Sequence, residues 1–253
     1  MKKKFLFLGC NSRQTNLIKF VRDQGHEASH KSSEINLNYA KKFNFIISFG
    51  YKKILSEKLI KSLKKPILNL HIGYLPYNRG CHPNLWSFLD NTPSGITIHE
   101  IDKKIDRGKI LFQEKVDFKD KDITLKQSYI ILKRKIENLF IKKFNAILKG
   151  NYKKYPQRGI STFHNKKDKP NFINWNMKAI NAQKKYDYHL KKEIEKNLKL
   201  IDDIQNVRKN NNINWMDILR VGITNVPIET KKIINKISFD DDKIGNLLRK
   251  VNK

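Results

Sequence analysis

Two polar side chains stand out in an otherwise apolar run. Asn69 and His71 interrupt Ile67–His71 (ILNLH), and they are followed at once by a loop, Ile72–Pro83 (IGYLPYNRGCHP). In an extended strand alternate residues share a face, so Asn69 and His71 project together at the C-terminal end of the strand. A third polar point is Asp106, in a loop between two later apolar runs. An amide donor, a titratable imidazole and a carboxylate that orients it would together suit acyl transfer, because such groups can move a proton and hold an oxyanion. Spacing alone does not bring the three together. A lone histidine at a strand end is commonly structural, and Asp two residues before Gly is common turn chemistry.

The elements needed to position these residues can be read in order. Phe5–Gly9 is a short apolar run ending in Gly; Asn16–Gly25 places Leu17, Ile18, Phe20 and Val21 at helical spacing and closes on a C-cap glycine. Phe43–Phe49 (FNFIISF) and Ile67–His71 are further strands, with the helix-like Ser56–Leu63 between them. Strands alternating with helices imply an α/β fold with a mostly parallel, covered sheet. Such sheets bind ligands at the C-terminal ends of their strands, where Asn69 and His71 lie. Gly95–Ile101 (GITIHEI) and Lys109–Phe118 then read as strands flanking the loop Asp102–Gly108. Thr124–Leu148 carries Leu125, Ile130, Leu132, Ile136, Leu139, Phe140, Phe144 and Leu148, a long amphipathic helix.

Beyond about Ile173 the pattern is helical alone. Leu190, Ile194, Leu198, Ile201, Ile204 and Val207 form one stripe, and shorter helices are expected around Trp215–Val221, after Pro227 and from Asp240–Asp242. The expected division is a catalytic domain over 1–175 and a helical appendage over 176–253. The appendage's stripe would pack on the catalytic domain, form a homodimer interface or dock a neighbouring enzyme.

Composition narrows the function classes. The chain has 253 residues, 53 Lys and Arg against 24 Asp and Glu, and a formal charge of +29, so polyanions must be considered. The excess is spread evenly as Lys beside Asn and Ile, with no Arg-rich block or aromatic-basic stripe, which fits codon bias better than a nucleic-acid surface. Cys10 and Cys81 are the only cysteines, far apart, so no disulfide framework or structural zinc site is expected, and a reducing cytoplasm fits. The apolar part of the N-terminus is too short for a signal peptide, and no stretch approaches the ~18 apolar residues of a membrane span. The turn Gly9–Asn16 (GCNSRQTN) lacks GxGxxG, which argues against a nicotinamide or flavin enzyme.

The span Asn69–Asp106, NLHIGYLPYNRGCHPNLWSFLDNTPSGITIHEIDKKID, resembles the central signature of the folate-dependent formyltransferases. That signature is an Asn-x-His strand end, a Leu-Pro-x-x-Arg-Gly loop and a later Asp-x-Gly. The resemblance implies a formyltransferase-type, Rossmann-like sheet, with Asn69, His71 and Asp106 as catalytic residues and N10-formyltetrahydrofolate as co-substrate. It also implies a pterin near Phe49, Gly50, Tyr51, Ile101 and Asp102. No metal is expected, since the N-formyl donor is already activated. Lys104 stands where the family often has Gly, which bears on the shape of that loop. Leu75–Gly80, Pro83–Ser87 and Gly159–His164 (GISTFH) are most similar to the nucleotide-sugar N-formyltransferases. A nucleotide-linked amino sugar, of dTDP type, is therefore the expected acceptor, for surface polysaccharide. From their chemistry, Arg79 would meet a phosphate, and Tyr77 or Trp86 would stack on a ring, with Trp86 equally suited to the core; Asn78 and Asn84 complete the expected acceptor site. The rival readings are a methionyl-tRNA formyltransferase, whose β-barrel domain the helical tail does not match, a glycinamide ribonucleotide enzyme, a formyl-folate hydrolase, and a non-catalytic basic module.

Overall fold

The computed structural model describes residues 1–63, 65–118, 122–226, 229–235 and 239. Its elements run β1 (Lys4–Gly9), α1 (Leu17–Asp23), β2 (Glu27–Lys31), α2 (Leu37–Lys41), β3 (Phe45–Phe49), α3 (Glu57–Ser62), β4 (Ile67–His71), β5 (Arg79–Gly80), α4 (Pro83–Leu89), β6 (Gly95–Glu100), β7 (Ile110–Lys115), α5 (Leu125–Lys149), β8 (Phe163–His164) and α6 (Ala179–Asn225). Six strands form one sheet in the order β2-β1-β3-β4-β6-β7. β2, β1, β3 and β4 are parallel, while β6 and β7 run antiparallel to their neighbours. The expected α/β fold with a mostly parallel sheet and a helical C-terminal part is the one observed.

Period-two alternation sorts each strand's side chains between two faces. Phe5, Phe7, Leu68, Leu70, Ile96 and Ile98 bury one face of the sheet together with Leu17, Ile18 and Val21 of α1 and Leu132, Ile136, Phe140 and Phe144 of α5. Leu6, Leu8, Ile46 and Ile67 bury the other with Ala40, Leu59 and Leu63 around α2 and α3. α5 starts at a capping box between Thr124 and Gln127 and ends at Gly150 in the left-handed region. Ile130, expected on its apolar stripe, is exposed, and Ile147 is buried instead.

Three elements had no strong sequence signal. β2 (EASHK) buries only Ala28, as an edge strand can. α2 is five residues long. α4 is buried on every side, from Pro83 to Leu89, so no polar face marks its period; it follows His82 in the left-handed region and has Pro at its first turn.

The chain divides into two compact units, Met1–Tyr188 and His189–Lys253. Ala179 and Ala182, in the first turns of α6, are buried with Leu85, Trp86, Phe88, Leu125 and Ile173. The separate helix expected around Trp215–Val221 is instead part of α6, which continues to Asn225. The Asn-rich stretch before Trp215 holds neither Pro nor Gly, and each Asn costs a helix only a few tenths of a kcal/mol. Pro227 and Asp240–Asp242 lie outside the described residues. In the second unit Leu190, Ile194, Leu198 and Ile201 are exposed, and Thr230 sits against Gly222, where an added Cβ would come within 2.7 Å of the threonine hydroxyl. No described helix is long and apolar enough to cross a membrane.

Candidate active site

The β4–β6 register sets the site. Asn69 lies opposite His99 and His71 opposite Thr97, so four polar side chains stand on the face that carries Ile67. The β3 neighbour of Asn69 is Ser48. This polar patch lies on the α2–α3 face of the sheet, beside the apolar residues of β1, β3 and β4 that pack with those helices.

Asp106 reaches this patch from the loop after β6. Its backbone is held in the left-handed region at φ +50°. Gly108 brings the loop within reach of β6: a Cβ there would lie 1.8 Å from the Glu100 carbonyl oxygen. The Asp106 carboxylate accepts hydrogen bonds from Asn69 Nδ2 at 3.2 Å and from the Gly80 backbone N–H at 2.8 Å. It stands 3.6 Å from His71 Nδ1 and 3.4 Å from His99 Nε2. Asn69, His71 and Asp106, separated by up to 37 residues in sequence, therefore converge. Burial by itself would raise the Asp106 pKa. The His71 and His99 imidazoles and the Gly80 N–H outweigh it and hold the carboxyl far below its usual range.

A carbonyl oxygen only accepts, so each neutral imidazole donates its one ring N–H to the backbone. His71 Nε2 faces the Asn78 carbonyl at 3.2 Å and carries the proton there, which leaves Nδ1 towards Asp106. His99 Nδ1 faces the Glu100 carbonyl at 2.7 Å, which leaves Nε2 towards Asn69, 3.1 Å away, and Asp106. Burial pushes the His71 pKa down and outweighs the pull of the Asp106 carboxylate. Asp106 thus stands beside a neutral His71, whose ring direction the Asn78 carbonyl fixes. His99 did not figure among the candidates read from sequence. Its signal was the alternation in GITIHEI, but only the strand register places it opposite Asn69.

The loop after β4 is built around the same carboxylate. Leu75-Pro76 is a cis peptide, and Asn78 adopts φ +56°. β5 pairs with β8, so that Gly80 lies beside His164; a Cβ on Gly80 would meet the His164 carbonyl oxygen at 2.3 Å. Gln157 ties the two loops together. Its Oε1 accepts from Arg79 Nε at 3.0 Å and Nη2 at 2.7 Å, while its Nε2 donates to the carbonyls of Asp106 and Gly108, each at 2.8 Å. Nothing in the sequence marked Gln157, because its role exists only once the segment after α5 folds back.

The residues expected to contact the acceptor mostly lie beneath the surface. Arg79 is buried against Gln157. Asn78 is fully buried and bonds Thr92 and Thr162 through its side chain. Asn84 bonds the Leu125 carbonyl. Trp86 is 3% exposed and stacks on His164 at 3.7 Å, with the ring planes 5° apart. All four side chains are held by packing and hydrogen bonds within the protein. Tyr77 alone of the five is not buried.

Of the expected pterin residues, Phe49 is buried and Gly50 has φ +66°. The Tyr51 hydroxyl donates to the Ser33 carbonyl at 2.9 Å. Ile101 N–H bonds the Ile67 carbonyl at 2.7 Å, and Asp102 is exposed. A cavity of about 240 Å³ opens beyond the C-terminal ends of β1, β2 and β3, lined by Cys10, Asn11, His30, Ser32, Gly50 and Lys52 among others. A second, of about 470 Å³, lies behind Gln157, between Tyr74, Ile110, Tyr155 and Arg158.

Residues 8–142 match the formyl transferase family model, an interval that contains all three converging side chains. The chain belongs to the formyl transferase family. Among relatives of this family member, the formyltransferase PseJ from Anoxybacillus kamchatkensis, solved with UDP-4,6-dideoxy-4-formamido-L-AltNAc and tetrahydrofolate, is similar with a TM-score of 0.66. It is 33% identical, over 71% of this chain and 97% of PseJ. The bifunctional polymyxin resistance protein ArnA of Wigglesworthia glossinidia brevipalpis is 36% identical over 54% of this chain and 21% of ArnA. The dTDP-4-amino-4,6-dideoxyglucose formyltransferase of Mycobacterium tuberculosis is 32% identical over 44% of this chain and 46% of its own length. The chain thus spans less than half the length of these two curated relatives.

Proposed function

We propose that this family member transfers a formyl group from N10-formyltetrahydrofolate to the amine of a nucleotide-linked amino sugar. The observation that carries the reading is the convergence of Asn69, His71 and Asp106, in a chain similar along nearly the whole of a sugar-nucleotide formyltransferase. The neutral amine nitrogen attacks the formyl carbon, and a tetrahedral oxyanion forms. It collapses with cleavage of the bond to N10; the acceptor nitrogen loses a proton and N10 gains one, so that tetrahydrofolate leaves as a neutral amine. Asp106, ionised and oriented by Gly80 and Asn69, helps pass that proton, directly or through water, to the neutral His71. His71, charged while it carries that proton, and an Asn69 N–H stabilise the oxyanion, and His71 then gives the proton to N10. Both Asn69 hydrogens face partners at rest, Asp106 and His99, so donation to the oxyanion exchanges one of these bonds for a new one.

In this reading the pterin lies along Phe49, Gly50, Tyr51, Ile101 and Asp102, and Tyr77 touches the acceptor, while Asn78, Arg79, Asn84 and Trp86 hold its loop from behind. The acceptor is a dTDP- or UDP-amino-dideoxyhexose made for surface polysaccharide such as O-antigen. The enzyme works in the cytoplasm, which suits its free Cys10 and Cys81. It is a homodimer, for which the exposed Leu190, Ile194, Leu198 and Ile201 offer an apolar face.

The formal charge of +29 favours a second reading, a methionyl-tRNA formyltransferase. The Thermodesulfovibrio yellowstonii enzyme of that name is 32% identical over 53% of this chain and 44% of its own length. One assay separates them: formyl transfer from N10-formyltetrahydrofolate to dTDP- and UDP-linked amino sugars, to glycinamide ribonucleotide and to Met-tRNA. Turnover with a sugar nucleotide alone is expected. Turnover with Met-tRNA alone, or with none of the acceptors, would overturn the proposal.

A further inference from the structure

We propose that His71, His99 and Asp106 also form a binding site for a divalent transition metal of zinc type, and that its occupation shuts the catalytic centre. The argument rests on side-chain geometry and does not depend on the acceptor assigned above.

With both imidazoles neutral, each donor nitrogen is free of a proton where it faces the carboxylate. His71 Nε2–H is committed to the Asn78 carbonyl and His99 Nδ1–H to the Glu100 carbonyl, so lone pairs on His71 Nδ1 and His99 Nε2 point at the Asp106 carboxylate. A metal-ligating histidine characteristically donates its other ring N–H to a carbonyl or carboxylate, which fixes the tautomer and ring direction. Both imidazoles already have this arrangement.

The spacing also fits. Zinc bonds nitrogen and carboxylate oxygen at about 2.0–2.2 Å, so ligand atoms in a tetrahedral site lie roughly 3.3–3.5 Å apart. Here Asp106 Oδ2 is 3.6 Å from His71 Nδ1 and Oδ1 is 3.4 Å from His99 Nε2, and one ligand atom from each residue lies within 4.8 Å of the others, so the three side chains need only close in slightly on a bound ion. Two imidazoles and one carboxylate leave a fourth position for water, and a single anionic ligand leaves the occupied site with a net positive charge.

Asn69 holds this site closed. Its Nδ2 sits 3.1 Å from His99 Nε2 and 3.2 Å from Asp106 Oδ1, so its two hydrogens stand where the cation would be. The ion must displace that amide, and once bound it occupies the Asp106 carboxylate and the His71 lone pair together. The side chain best placed for catalysis is therefore also the one that weakens metal binding.

The test is a titration of chelator-treated full-length protein with Co²⁺, read by visible ligand-field absorption, and with Zn²⁺, read by calorimetry. Wild type is expected to bind one ion per chain with tetrahedral cobalt bands. Asn69→Ala is expected to bind at least tenfold more tightly, and His99→Gln at least a hundredfold more weakly. His164→Gln, which alters a separate His–Asp pair, at Asp90, is expected to bind as wild type does. Zinc should inhibit wild-type formyl transfer reversibly, with recovery on adding chelator. An Asn69→Ala affinity no tighter than wild type, absent cobalt bands, or equal binding by His99→Gln would each overturn the proposal. Because the cobalt spectrum needs no substrate, its failure is separate from failure of the formyl-transfer reading. Should His99→Gln not fold, the gain in Asn69→Ala still decides.

Discussion

Gln157→Ala tests whether the loop carrying Asp106 is held from behind. The substitution deletes four hydrogen bonds, two accepted from the Arg79 guanidinium and two donated to the carbonyls of Asp106 and Gly108. The pair to the charged group is worth about 1.5–3 kcal/mol, and each neutral bond about 1 kcal/mol. Gln157 is only half-buried, so water replaces much of this, and a net loss of about 1–2 kcal/mol is expected. That corresponds to a fall in Tm of about 2–8 °C for a unit of this size. The larger effect falls on turnover. Asp106 would lose one of the anchors that fix it against His71, and a misplacement of about 1 Å can cost roughly a hundredfold. A kcat lower by about tenfold to a hundredfold is expected, with KM for the acceptor within about threefold, since Gln157 shapes the site rather than binding substrate. Gln157→Glu keeps an acceptor for Arg79 but sets a carboxylate oxygen against two carbonyls, and should lose at least as much kcat. The assay is release of tetrahydrofolate by steady-state kinetics, beside thermal unfolding. A Gln157→Ala enzyme with kcat within twofold of wild type, or with KM raised and kcat intact, would refute the reasoning.

Asp106→Asn should cut kcat at least a hundredfold in the same assay, because the ionised carboxylate is lost. It should also flatten the acid limb of the stability curve. The folded Asp106 pKa is depressed, so its contribution is present above the usual carboxyl range near pH 4 and is lost as pH falls through the folded value; chemical unfolding between about pH 5 and 2 measures it. Gly108→Ala should abolish turnover while leaving most of the helical circular dichroism, since its Cβ overlaps the Glu100 carbonyl and must push the Asp106 loop away. Leu132→Ala, at a fully buried position of α5, should cost about 2–5 kcal/mol in urea unfolding with little change in KM.

The sequence alone determined what depends on local pattern. Apolar runs and helical stripes located β1, β3, β4, β6, β7, α1 and α5, because side chains on a strand or helix face must follow its period to be buried. The Asn69-x-His71 spacing put two polar groups on one strand face, and the later Asp106-x-Gly108 marked the loop that meets them. Elements with a weak or uniform pattern were missed: β2 is nearly all polar, and α4 is buried on every side. The apparent break near Trp215 reflected polar residues in a helix that nonetheless continues through α6.

Only the tertiary structure decided how each of these side chains is buried and bonded. Arg79 and Trp86 have the chemistry of ligand-binding residues, yet Arg79 is spent on Gln157 and Trp86 on His164, and sequence carries no record of burial for a loop that folds under its neighbours. His99 and Gln157 became visible through an antiparallel register and through a segment returning from beyond α5. Both are contacts between residues distant in the chain, which local periodicity does not encode. The charge states were likewise a matter of packing: the same carboxylate and imidazole in water would titrate near their ordinary values, and it is the surrounding donors and the loss of solvent that keep Asp106 ionised and His71 neutral.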